Sequence, residues 1–104
     1  MSYIAVIFTS TRRDSDHEEY AKWSHLMSEM VREVPGFLGS DSFRDPESRE
    51  GVTISYFEDD EAVKMWREVS EHQQAQNLGR EKFYSEYRTR VTRVEREYHW
   101  ERPD

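Results

Sequence analysis

Between positions 72 and 84 the chain reads HQQAQNLGREKFY, which brings a histidine, amides, an arginine and two aromatic rings into one short segment. The imidazole of histidine can act as a general base near neutral pH, so His72 is a candidate to take a proton from a weakly acidic substrate hydroxyl. Arg80 offers fixed, planar donors to the oxyanion such a step leaves behind. Trp23, Trp66, Phe83 and Tyr84 are candidates for the walls of a small-molecule pocket, with Gln73, Gln76 and Asn77 as the few polar groups that orient a ligand. The competing reading is a solvated helix end, where His72 bonds a carboxylate or water and the two rings pack the chain as it crosses back to a sheet.

Other chemistries have less to stand on. The chain has no cysteine, which removes disulfides, thiolate metal sites and thiol nucleophiles together. A helical metal pair needs His or a carboxylate at i and i+4, and His72 is followed there by Gln76. Glu68 precedes His72 by one turn, but two ligands do not make a transition-metal site without a third. Asp59 and Asp60 read as a helix cap, and no G-x-S-x-G nucleophile motif occurs. Neither metal nor cofactor is expected.

The net charge of -7 argues against a nucleic-acid partner, because such binding rests on neutralising phosphates with a basic surface. The basic run RTRVTRVERE carries two glutamates and alternates like a strand with an ion-paired face. No apolar run is long enough to span a membrane, and MSYIAVIF lacks the basic region and cleavage site of a signal peptide. The expectation is a soluble, cytoplasmic protein.

These candidate residues need a scaffold. With 35% hydrophobic and 36% charged residues the chain has few core positions, yet its three Trp, six Tyr and five Phe lie in periodic segments. Large rings bury much area each, so a single domain spanning 1–104 can fold around them. YIAVIFT at 3 to 9 reads as a strand ending in a Ser/Thr/Arg turn. Tyr3, Ala5 and Ile7 point to one face of it, Ile4, Val6 and Phe8 to the other, and a strand apolar on both faces is covered on both. Tyr20, Trp23, Met27, Met30, Val31 and Val34 form a helical stripe, with Asp14 and Asp16 as caps and Pro35-Gly36 as the stop. His17 and His25 lie off that stripe. FLGSDSFRD and VTISYFE make an antiparallel hairpin around DPESREG.

A second helix opens at EDDE, its stripe running Ala62, Trp66, Val69 and then, at the same phase, Gln73, Gln76 and Asn77. Gly79 ends or bends it, a short turn carries Phe83, Tyr84 and Tyr87, and RTRVTRVEREYHW is a long last strand. The order is that of an α+β, ferredoxin-like βαββαβ fold: a four-stranded antiparallel sheet with two main helices on one face. The second apolar face of the first strand then needs a cover, and the simplest is another copy related by a two-fold axis. A homodimer pairing sheet face to sheet face is expected.

The element order, VPGFLGSDSFRD, YFEDDEAVKMW and EHQQAQNLGREKFYSEYRTRVTRVEREY together resemble the antibiotic biosynthesis monooxygenase family of dimeric α/β-barrel proteins, over nearly the whole chain. The resemblance implies a pocket between helices and sheet and a monooxygenase-like activity on a small aromatic or quinone-type compound without metal or flavin. It also implies alternatives: a non-catalytic, ligand-binding or stress-associated dimer, or a haem-binding and haem-degrading enzyme. Haem-degrading relatives use a second-helix histidine, a tryptophan about three turns earlier and a first-strand asparagine. Here Trp66 matches the tryptophan, Gln76 stands at the histidine position, His72 lies one turn early, and the first strand has no asparagine.

Overall fold

The alternation of YIAVIFTSTR, with branched or aromatic side chains on both parities, suits a central strand, and β1 (Tyr3–Arg12) occupies that place in the sheet. In the computed structural model, which describes residues 2–77 and 82–104 and only the helical backbone at 75–77, the chain continues through α1 (His17–Arg32), β2 (Phe37–Arg44), β3 (Glu50–Phe57), α2 (Asp60–Asn77) and β4 (Tyr84–Val94). This is the expected βαββαβ order. The sheet runs β2-β3-β1-β4 with every neighbouring pair antiparallel.

Register decides which side chains share a face. Ile4 pairs with Phe57, Val6 with Ser55, Phe8 with Thr53 and Ser10 with Gly51, so the even positions of β1 and the odd positions of β3 point together. They point at the helices: Phe57 is wholly buried and packs with Val31, Val34 and Ala62, with Val6, Phe37, Val63 and Trp66 around them. The reverse parity, Tyr3, Ala5, Ile7, Val52, Ile54 and Tyr56, forms a second face, opposite the one on which α1 and α2 pack.

Both helix entries are set locally. Asp59 Oδ1 accepts the amide of Ala62 at 3.0 Å, the expected cap of α2. Asp16 stands at the N-cap of α1 but contributes only its carbonyl, to the amide of Tyr20. Its backbone is left-handed, with φ 56°, so its side chain is turned away from the amides that the sequence pattern expected it to cap. Asp14 instead accepts from His17 Nε2 at 3.1 Å. At the far end of α1 the chain reverses through Gly36, φ +93°, whose carbonyl receives the amide of Glu58. A Cβ on Gly36 would lie 2.9 Å from the Ala62 Cβ, so a side chain there would push the two helix ends apart.

Two strand boundaries differ from expectation. β1 runs past Thr9 to Arg12, because Ser10, Thr11 and Arg12 keep their pairing with β3 and β4. β4 begins at Tyr84 and stops at Val94, so Tyr84 and Tyr87 are strand residues and Glu95 to Trp100 are not. The aromatic pair gains its strand geometry by pairing with Arg12 and Ser10 across a register shift at Thr11/Arg12, a long-range contact that local composition does not report.

Candidate active site

The inward parity of β1, Ile4, Val6, Phe8 and Ser10, ends on a charged residue, Arg12. It is 3% exposed. Burying a guanidinium is costly unless its donors are satisfied, and here carbonyl oxygens satisfy them. Nη1 donates to the carbonyls of Phe83 at 2.7 Å and Arg13 at 3.0 Å, and Nη2 donates to Ser15 at 3.2 Å and to His17 Nδ1 at 3.3 Å. Arg12 thereby ties the end of β1 to the start of α1 and to the segment entering β4. Loss of water around the group pulls its pKa below the ordinary arginine value, with Arg44 pushing the same way and Tyr20, Tyr84 and Asp16 opposing.

A second arginine joins it from β2. Arg44 donates through Nη1 to the carbonyls of Arg49 at 2.7 Å and Ser10 at 3.3 Å, and through Nη2 to Ser10 Oγ at 2.8 Å and Tyr20 Oη at 3.4 Å. Its guanidinium lies over Gly51, where a Cβ would be only 2.6 Å from Arg44 Cζ, so the glycine makes room for the cation. Neither Arg12 nor Arg44 has a carboxylate within 4.0 Å among the described residues. Two cations share one corner, and among the described residues neither forms an ion pair with a carboxylate.

Rings fill the space beside them. Arg12 Cζ is 3.9 Å from the centroid of Tyr20, and Tyr20 meets Phe83 at 5.6 Å and Tyr84 at 5.9 Å. Trp23 packs on Phe83 at 5.8 Å, and Phe8 lies 5.5 Å from Tyr84 and 5.4 Å from Tyr87. Burial raises the Tyr84 phenol well above its ordinary pKa, reinforced by Tyr20 and opposed by Arg44 and Trp23. Tyr84 therefore holds its proton at neutral pH.

The sequence candidates divide into two groups. Trp23, Phe83 and Tyr84 converge in this ring cluster; Trp23 and Phe83 are buried and Tyr84 is partly so. Trp66 is half-buried against the Val31, Val34, Phe57 and Ala62 core. His72 lies on α2 with an exposed side chain, whereas Gln73, its neighbour at the inward phase, is half-buried. Gln76 and Asn77 close α2, their side chains outside what the structure describes, and Arg80 lies outside the described residues altogether. Arg12, Arg44, Tyr20, Phe8 and Tyr87 were not singled out from the sequence as site residues. For Arg12 a signal existed: it continues the inward parity of β1.

An open groove of about 730 Å³ runs along the end of the sheet away from the helices, lined by Thr9, Thr11, Phe43, Glu50, Val52 and Glu86 among others, with Ser10 and Arg44 at its border. No group of three or more His, Asp or Glu side chains that could hold a metal occurs among the described residues. No helix of the described residues is long and apolar enough to cross a membrane.

Comparisons with known proteins agree with this architecture. Residues 2–78 match the family described as antibiotic biosynthesis monooxygenase. The Bacillus subtilis (strain 168) protein YqjZ, described as uncharacterized, is 38% identical over 95 residues, which cover 91% of this chain and 82% of that protein. Among solved structures, a mutant form of SnoaB, a cofactor-independent oxygenase from Streptomyces nogalater, superposes with TM-score 0.72 at 11% identity, covering 91% of this chain and 95% of that one. PA3566 from Pseudomonas aeruginosa superposes with TM-score 0.70 at 19% identity, covering 94% and 97%. The structures speak for the fold, and the match over residues 2–78 together with the 38% identity speaks for the lineage: the chain belongs to the antibiotic biosynthesis monooxygenase family.

Proposed function

We propose that this protein is a dimeric, monooxygenase-type enzyme that oxidises a small aromatic or quinone-type compound without a cofactor, at the helix-facing end of the sheet. The observation that supports it is the pair of guanidiniums, Arg12 and Arg44, without a carboxylate partner among the described residues and beside the Tyr20, Phe83, Tyr84 and Trp23 rings. Positive charge in a ring-lined corner lowers the free energy of a substrate phenolate or enolate relative to its neutral form. Such an anion is the electron-rich species that dioxygen oxidises. For an activated ring methylene the reaction balances as CH2 plus O2 giving C=O plus water, with the substrate supplying all the electrons.

In this reading Trp23, Trp66, Phe83 and Tyr84 form the walls, Gln73, Gln76 and Asn77 orient the substrate, His72 accepts its proton, and Arg80 adds a contact to the anion. SnoaB, which shares the fold, is a cofactor-independent oxygenase. Oxygen uptake with a hydroxylated anthrone is the test. Stoichiometric uptake that falls at least about ten-fold in Arg44→Gln supports the assignment. Uptake unchanged by Arg44→Gln removes the arginine corner from the site, and unchanged turnover in His72→Ala removes that residue from the mechanism.

A second reading has its own support. The rings of Phe8, Tyr20, Phe83, Tyr84 and Tyr87 form a chain of contacts, each within 6 Å of the next, and occupy the corner themselves, as in a domain that binds a ligand weakly or only supports an assembly. Absence of oxygen uptake across phenolic substrates, with retained ligand binding by calorimetry, selects it. Haem is a third possibility, and an unchanged Soret band on adding stoichiometric haem rules it out.

A further inference from the structure

The hairpin between β2 and β3 brings a third guanidinium to the corner that Arg12 and Arg44 occupy. Arg49 donates through Nε to the carbonyl of Arg12 at 3.1 Å, and its own carbonyl receives the Arg12 amide at 3.0 Å and Arg44 Nη1 at 2.7 Å. Arg49 is half-buried, yet its two terminal nitrogens make no hydrogen bond or ion pair among the described residues. The neighbouring carboxylates are engaged elsewhere. Asp45 accepts from the Glu47 amide at 3.1 Å and from Ser48 Oγ at 3.0 Å, and Glu50 pairs with Thr11 on the opposite face of the sheet. The backbone makes the residue type informative: Arg49 has φ 65°, a left-handed turn position that glycine or asparagine ordinarily fills. A bulky side chain kept there against strain is a pattern met at ligand clamps.

We propose that Arg49 recognises a carboxylate on the substrate, so that the compound class is an aromatic acid, a hydroxylated ring system bearing a carboxyl group. The proposal rests on the reading of this corner as the substrate site and names the class of substrate. Arg12 and Arg44 have their terminal donors engaged with carbonyls, Ser10, Tyr20 and His17, so they contribute charge. Arg49 contributes the unused planar fork of N–H donors, whose geometry matches a carboxylate. Tyr20 lies 3.9 Å from Arg12 Cζ and 5.8 Å from Arg44 Cζ, measured from its ring centroid, so a ring face stands beside the same cations. An aromatic acid can use both features at once. The net charge of -7 repels polyanions from the same corner, which favours a single carboxylate over a polyphosphate.

The test is calorimetric titration of the full chain with a dihydroxyanthraquinone and with the same ring system bearing a carboxylate, neither of which turns over. The acid is expected to bind the wild type about ten-fold more tightly or better, with the advantage shrinking as salt is raised. Arg49→Gln should reduce that advantage to about two-fold or less. Arg49→Gly should do the same while its urea midpoint stays close to the wild-type value, since relief of the left-handed backbone offsets the lost Nε bond. An advantage that survives Arg49→Gln overturns the assignment to Arg49. Equal affinity of the wild type for the two compounds overturns the substrate class, and in both cases the corner still stands as a ligand site. A lowered urea midpoint in Arg49→Gly with the advantage undiminished assigns Arg49 to the hairpin alone and overturns its role in recognition. Binding of neither compound overturns the reading of the corner as a substrate site, and the substrate class with it.

Discussion

The guanidinium of Arg12 lies against Tyr20, with Cζ 3.9 Å from the ring centroid, and this contact joins the last residue of β1 to the first turns of α1. The stacking leaves the edge of the guanidinium free to donate to the carbonyls of Arg13, Ser15 and Phe83. One side chain thus fixes three chain segments, one of them distant in sequence.

Arg12→Met should therefore cost about 2–4 kcal/mol, because it removes the side-chain donors to the part-buried Arg13 and Ser15 carbonyls and leaves the buried Phe83 carbonyl with only the Arg13 amide, in addition to losing the ring contact. Arg12→Lys should recover only part of that, since an ammonium lacks the planar fork that reaches several carbonyls at once. Urea denaturation of both variants measures the two losses.

Gly51 is occupied from outside by Arg44. Gly51→Ala should displace the Arg44 guanidinium, whose Cζ lies 2.6 Å from the new Cβ, and break its bonds to Ser10 and Tyr20. The far end of an arginine moves easily, but here four hydrogen bonds hold it. A loss of about 1–2 kcal/mol is expected in thermal or chemical unfolding. If Arg44 serves the reaction, activity falls with it while the fold survives.

Gly36→Ala combines two penalties, a left-handed backbone at φ +93° and a 2.9 Å approach to the Ala62 Cβ. The expected destabilisation is about 2 kcal/mol, visible as a lowered urea midpoint with an unchanged slope.

Tyr84 makes stability depend on alkaline pH. Its folded-state pKa is raised above the ordinary 10.0, so the folded chain holds the phenolic proton more tightly than the unfolded chain does. Below about pH 10 both states are protonated and the contribution is complete. As pH rises further the unfolded chain ionises first, so stability falls until the folded phenol also titrates. Tyr3 and Tyr56 are shifted in the same direction, by Glu97 and by burial respectively. Urea midpoints followed from about pH 8 to 11 should fall in the wild type and fall less steeply in Tyr84→Phe.

Much of the fold was legible in side-chain periodicity. The Trp23, Val31, Val34 stripe is the buried side of α1, and the two apolar faces of β1 are both present. The polar continuation of the α2 stripe was also legible: Gln73 at the inward phase is half-buried while His72 beside it is exposed. Less legible was the end of β1. Ser10, Thr11 and Arg12 resemble a turn by composition, and only their pairing with Gly51, Glu86 and Tyr84 makes them strand.

By itself the sequence determined the order of elements and the faces they bury, because helical and strand periods are properties of consecutive residues. The tertiary structure alone decided that Arg12, Tyr20, Arg44 and Tyr84 meet. Those four residues come from β1, α1, β2 and β4, and an arginine is tolerated in the interior only where the finished fold brings enough carbonyl oxygens and ring faces to it. No window of sequence contains that information, since the compensating groups come from segments far apart along the chain.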